Sequence, residues 1–242
     1  MGIGLVTSAA GPQLARIAGY HWLAIDMEHH PLTLADVAQI CQIASAVGVT
    51  PVVRVRAEAL HEAARALDNG AQGILVPGVG SRADAERMVA MLRFAPVGAR
   101  SWGGAAAAFA YAPPPLHEAL SQANAETLLA AMIETEAGLE NVDEIAATPG
   151  VDVLFVGAVD LSIALGVAGD LQSAAMAAAF ERIAAAARRH RKAFGVGGVY
   201  DNTLAPRLIG LGARFLAAGG DQALLLSAAT ARATLLASHA PH

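Results

Sequence analysis

The sequence predicts a (β/α)8 barrel, and three observations carry that expectation. Short apolar runs alternate with helical stretches along the whole chain, and eight strand–helix pairs can be counted. A length of 242 residues suits one such barrel as a single domain over 1–242. Acidic and basic side chains also gather where the apolar runs stop, at the strand ends that carry chemistry in parallel α/β folds. An open doubly wound sheet is the weaker alternative.

The elements follow in order. GIGLV (2–6) predicts the first strand, and GPQLARIAG (11–19) a helix with Pro12 in its first turn. HWLAID (21–26) is the second strand, followed by polar EHHP and a helix over 32–47. TPVVRV (50–55) is the third, and the helix over 58–70 is closed by Gly70. GILVPGV (73–79) is the fourth, and the helix over 81–94 starts on a Ser81 cap. The stretch 95–124, with PVGARSWGG, an alanine run and YAPPP, is expected to lie over the C-terminal rim as a loop insertion with one short helix.

LLAAMIE (128–134) and VDVLFVG (151–157) flank an amphipathic helical stretch and make a βαβ unit with parallel strands. Glu134 and Asp160 then emerge at one edge of the sheet. The remainder alternates a helix over 171–190, the strand AFGVGG (193–198), a helix over 202–211, the strand ARFLAAGG (213–220) and a last helix over 221–237.

Composition narrows the function classes. With 55% hydrophobic and 15% charged residues, the chain is expected to oligomerise. No apolar run reaches the roughly 18 residues needed to span a bilayer and no secretion signal is evident, so a cytoplasmic protein without membrane contact is expected. A net charge of −5 with 5% aromatic residues gives no footprint for nucleic acid. Cys41 lies in an apolar helical stretch and is expected to be packed. Lys192 is the sole lysine and precedes the seventh strand, which disfavours Schiff-base chemistry.

The second strand delivers Asp26, Glu28 and His29, the third Arg54, the fifth Glu134 and the sixth Asp160. A histidine can accept a proton near neutral pH, an arginine can hold an oxyanion, and two acids can bind a hard divalent cation. Each has a structural alternative: His29 as a cap, Arg54 paired with Asp26 or Glu28, the two acids as caps of following helices, and His30 as a bystander. The glycines of GVGG and AAGG suit either a phosphate cradle or ordinary turns.

The segments DMEHHP, PVVRV, LDNGAQGILVPGV, RFAPVGARSWG, MIETEAGLENVDEIAATPGVDVLFVGAVDLS and GLGARFLAAGGD together resemble the HpcH/HpaI aldolase/citrate lyase family, in particular its 4-hydroxy-2-oxoacid aldolase branch. The resemblance runs nearly end to end. It implies a class II aldolase that uses a divalent metal ion (Mg2+, Mn2+ or Co2+) to cleave a 4-hydroxy-2-oxo acid to pyruvate, or a close 2-oxo acid, and an aldehyde. It puts the base on His29, preceded by Asp26, the strand-3 arginine on Arg54 and the metal on Glu134 and Asp160. Asp68 would partner the base from a neighbouring subunit, and backbone N–H groups around Val159 and Asp160 would hold the oxoacid carboxylate. A hexamer is implied, with the last helix packed on a neighbouring subunit. This sequence departs from the pattern at Met132, where Gln-x-Glu is usual, and at Ala158, where proline is usual. A CoA-ester lyase of the citrate lyase type and a non-catalytic oxoacid-binding barrel are the rival readings.

Overall fold

A computed structural model describes residues 1–104, 107–199 and 202–239. Its strands are β1 (Gly2–Ile3), β2 (Trp22–Asp26), β3 (Thr50–Arg54), β4 (Gly73–Val76), β5 (Leu128–Ile133), β6 (Val153–Gly157), β7 (Ala193–Gly197) and β8 (Ala213–Ala217). They form one sheet in chain order, every neighbour parallel. A bridge between Gly2 and Gly220 brings the last strand's end back to the first, with the Gly2 N–H donating to the Gly219 carbonyl at 2.9 Å. The helices of the first half are α1 (Ala10–Ile17), α2 (Leu34–Ala46), α3 (Leu60–Asp68), α4 (Arg82–Leu92) and α5 (Leu116–Glu126). Those of the second are α6 (Glu136–Glu140), α7 (Val142–Ala147), α8 (Ala158–Ala164), α9 (Ala174–Arg189), α10 (Leu204–Leu211) and α11 (Asp221–Ala237).

Alternation along each strand decides what faces where. Leu23, Ile25, Val53, Ile74, Leu129, Ala131, Leu154 and Val156 point outward and bury under the helices. Val52, Leu75, Ala130, Met132, Val153 and Phe155 point inward, joined by Trp22 and Phe215. Trp22 stacks on Phe215 with centroids 3.9 Å apart, and Phe155 meets Phe215 edge-on at 5.8 Å. The Phe155 ring takes the room left by Gly195 and Gly197, where a Cβ would lie 2.8 and 2.9 Å from it. This plug closes the barrel's lower part, so only the upper layer is open to chemistry.

Four expectations need correction. First, the stretch 95–124 does not lie over the C-terminal rim. It joins the end of α4 to the start of β5, and a helix that runs antiparallel to the strands ends at their N-terminal mouth. There Arg100 pairs with Asp68 at 2.6 Å, and the last third of the stretch, from Leu116, is helical, as α5. Second, β1 is two residues long, because beyond Ile3 the chain turns to aim the N–H groups of Gly4, Leu5 and Val6 at the Asp221 carboxylate, at 3.2, 2.8 and 2.6 Å. Third, the amphipathic stretch after β5 is two short helices that meet at Asn141, whose side chain donates to the Gly80 carbonyl at 2.9 Å. Fourth, a short helix, α8, follows β6 directly. Residues 200 and 201, adjoining the expected helix over 202–211, lie outside the described residues.

The last helix lies apart from its own barrel. Only Asp221 of α11 is buried, and Leu225, Leu226, Leu235 and Leu236 are exposed. Leu14 and Ile17 of α1 and Ile209 of α10 are exposed as well, Ile17 at 82%.

Candidate active site at the C-terminal mouth

A cavity of about 330 Å³ opens at the C-terminal ends of the strands, and its lining includes Asp26, His30, Arg54, Met132, Val159 and Asp160. This volume falls at the small end of the range for small-molecule sites.

Asp26 is the hub. Register pairs it with Arg54 across β2 and β3, both one step above the inward Ala24 and Val52. Arg54 donates through Nε to Oδ1 at 2.8 Å and through Nη2 to Oδ2 at 2.7 Å, a fork that suits a planar guanidinium. His30 Nδ1 lies 2.7 Å from the same Oδ2, and the Glu28 N–H donates to Oδ1 at 3.0 Å. Burial works against the charge of Asp26, which is 7% exposed, but these donors, Arg54 foremost, prevail and hold its pKa at about 2. Arg54 also faces Glu28 across 3.3 Å, and although burial opposes its charge, Asp26 and the neighbouring acids push its pKa up.

The acids crowd the other side. Glu134 continues the inward row of Ala130 and Met132, and its Oε1 accepts the Gly78 N–H at 2.7 Å. Gly78 has a φ of +63°, which favours glycine in that turn. Burial, with repulsion from Glu28 and Asp160, pushes the Glu134 pKa up to about 7. Burial likewise raises that of Glu28. Gly157 gives Glu134 its place, since a Cβ there would sit 2.5 Å from Oε2. Asp160 stands exposed in the first turn of α8, next to Val159.

This donor set fits a hard divalent cation. Glu134 is a half-buried acid whose carboxyl is repelled by Glu28 and Asp160, a repulsion that a cation would relieve. Among the described residues no group of three or more His, Cys, Asp or Glu is arranged to hold a metal, so Glu134 and Asp160 would bind it with water and substrate oxygens completing its shell.

The sequence-predicted residues are not all brought together. Asp26, Arg54, Met132, Val159 and Asp160 line the cavity. His29 and Glu134 do not; the His29 side chain is 61% exposed, 3.8 Å from Glu28, and Glu134 stands beside the lining, held by the Gly78 N–H and close to Gly157. Asp68 ends α3 at the opposite mouth, paired with Arg100, in a second cavity of about 450 Å³. His30, expected to be a bystander, lines the active cavity instead. Asp221 lines it too and was not anticipated; an acid opening a helix gave no sequence signal beyond an ordinary first-turn charge. Lys192 donates to the Val151 carbonyl at 2.7 Å, at the start of β6 and away from the cavity. Cys41 is buried, and burial pushes its thiol up to about 12, as a packed residue should be.

A family model described as HpcH/HpaI aldolase/citrate lyase matches residues 5–228. The chain is 38% identical over 242 residues to a 4-hydroxy-4-methyl-2-oxoglutarate aldolase of Hapsidospora irregularis, which covers 98% of this chain and 90% of that protein. It is 38% identical over 232 residues to a hydroxypyruvate/pyruvate aldolase of Paraburkholderia phytofirmans, with 93% and 88% covered. The crystal structure of an HpcH/HpaI aldolase from Desulfitobacterium hafniense superposes with a TM-score of 0.92 at 28% identity, over 99% of this chain and 93% of that one.

Proposed function

The chain belongs to the HpcH/HpaI aldolase/citrate lyase family, and from that premise we propose that it is a class II aldolase. It is a carbon–carbon lyase that cleaves a 4-hydroxy-2-oxo acid to pyruvate, or a close 2-oxo acid, and an aldehyde. The observation that carries this reading is the half-buried Glu134, its pKa pushed to about 7 by burial and by Glu28 and Asp160, beside a rim that also holds the Asp26–Arg54 pair.

Glu134 and Asp160 would hold a divalent cation (Mg2+, Mn2+ or Co2+), which when bound would supply Lewis-acid chemistry at the 2-oxo group. The protein's own groups do the rest. Backbone N–H groups at Val159 and Asp160, in the first turn of α8, hold the oxoacid carboxylate. Arg54 keeps donors beyond its fork to Asp26 and turns them to the enolate oxygen. Asp26 fixes the guanidinium in that attitude. His29 takes the proton of the 4-hydroxyl, completed by Asp68 from a neighbouring copy, since within one chain the two stand at opposite mouths. Met132 sits under the substrate as an apolar floor.

A homo-oligomer, a hexamer by family resemblance, follows from the same site logic and from the exposed leucines of α11, which would pack on a neighbouring copy. No helix among the described residues is long and apolar enough to cross a membrane, and a cytoplasmic location is in keeping with that. The CoA-ester lyase reading lacks a comparable observation: Arg54 is the one arginine or lysine among the described residues lining the cavity, which leaves no basic groove for a pyrophosphate.

The test strips the protein of metal, adds a 4-hydroxy-2-oxo acid with Mg2+, Mn2+ or Co2+, and follows pyruvate by a coupled assay. Pyruvate should appear only with the cation. Release that persists in a chelator, or no release with any cation, refutes the class II reading.

A further inference from the structure

Two histidines follow β2, and the chain folds only the second into the cavity. His30 Nδ1 lies 2.7 Å from Asp26 Oδ2. Asp26, with its pKa at about 2, is an ionised acceptor at any working pH, so Nδ1 carries the proton of that bond. That bond orients the ring and leaves Nε2 without a hydrogen-bond partner among the described residues. The ring lies over Gly4, where a Cβ would come within 2.3 Å of Cδ2 and 2.4 Å of Nε2, so only glycine there leaves space for it. Asp26 Oδ2 also accepts from Arg54, which sets His30 one carboxylate oxygen away from the guanidinium.

Within the aldolase reading, on which this step rests, the pyruvate half of the substrate lies toward Glu134, Asp160 and Val159. The aldehyde-derived half then falls toward β2 and His30. The geometry points to His30 as the residue that selects the aldehyde: its Nε2 accepts a hydrogen bond from a hydroxyl next to the aldehyde carbon, so the preferred partner is a neutral hydroxyaldehyde. Charge rules against a carboxylated aldehyde. Asp26, Glu28, Asp160, Asp221 and Glu134, the last only part-ionised with its pKa at about 7, bring a surplus of negative charges to this mouth. Arg54 and a divalent cation would bring three positive ones, and the pyruvate carboxylate adds a further negative charge. A methyl group in place of the hydroxyl would leave Nε2 desolvated and unpaired, a loss of about tenfold.

The experiment adds pyruvate to aldehydes with the Mn2+-loaded full chain and measures kcat and KM by product NMR. Glycolaldehyde, propanal of the same heavy-atom count, and glyoxylate are the three partners. Wild type should favour glycolaldehyde over propanal by about tenfold. His30→Asn, which keeps an N–H for Asp26 but has nothing at the Nε2 position, and His30→Ala should bring that ratio to near one by raising KM for glycolaldehyde alone. A ratio unmoved in both variants, or equal loss of kcat for both aldehydes, overturns the assignment, as does a glyoxylate preference that vanishes in His30→Asn. If wild type adds pyruvate to none of the three, the aldolase reading itself fails and this assignment goes with it, a result distinct from an active enzyme whose ratio does not move.

Discussion

Asp26→Asn tests whether the hub holds the rim together. The carboxyl is depressed from an ordinary 3.8 to about 2. At about 1.4 kcal/mol for each tenfold in proton affinity, this amounts to roughly 2 kcal/mol, with little discount for solvent because the side chain is 10% exposed. The variant loses more than that, because Arg54 stays buried without its counter-charge and an amide NH2 replaces an acceptor. Removing one member of a buried pair typically costs about 3–5 kcal/mol, so a loss of about 3 kcal/mol is expected. A depressed carboxyl contributes fully above 3.8 and loses its contribution as pH falls through 2, so the loss in the variant should be present at neutral pH and shrink in strong acid. Urea unfolding followed by tryptophan fluorescence, with Trp22 packed in the interior, measures it. A variant within about 0.5 kcal/mol of wild type at neutral pH refutes the reasoning. Asp26→Leu with Arg54→Met, which removes both charges, should recover most of the loss and leave the protein inactive.

Three further outcomes follow from the same geometry. Gly157→Ala should fold but lose at least about tenfold in Mn2+ affinity, read by calorimetric titration, because its Cβ would meet Glu134 Oε2 at 2.5 Å; unchanged affinity would show that Glu134 does not hold the cation in this position. Saturating Mn2+ should raise the melting temperature of the wild type by about 5 °C, and neither Glu134→Gln nor Asp160→Asn should show the rise. Leu225→Glu with Leu236→Glu, at exposed sites of α11, should lower the mass seen by analytical ultracentrifugation without unfolding the barrel, and an unchanged mass would mean that α11 is not an interface.

The barrel was legible because alternation and strand-end polarity are local signals. Trp22, Ala24 and Asp26 fall on one face of β2 by period alone, and β3 carries Arg54 to the same height by register. What escaped were the directions of groups beyond the strands, where no period applies. Whether His29 or His30 turns inward depends on Asp26 Oδ2 and on the missing Cβ of Gly4, which lies 26 positions earlier in the chain. The stretch 95–124 was misplaced by composition, glycine and proline suggesting a lid, although an α-to-β connection belongs at the opposite mouth. Asp221 gave no warning because its partners are the backbone N–H groups of residues 4–6, which carry no side-chain signature.

The Asp26–Arg54 pair is itself an argument for function. One layer below, the same two strands point Ala24 and Val52 inward, and the layer packs against Phe155 and Phe215 without a charge. Apolar side chains at 26 and 54 would extend that packing, and buried ion pairs rarely exceed such packing in stability. The barrel nonetheless places a forked pair at the one level open to solvent, and adds His30 to the same oxygen and Glu28 to the same guanidinium. Stability does not call for that arrangement. A reaction that must hold an oxyanion in a fixed place does, because a guanidinium already oriented by Asp26 needs no rearrangement when charge develops on the substrate.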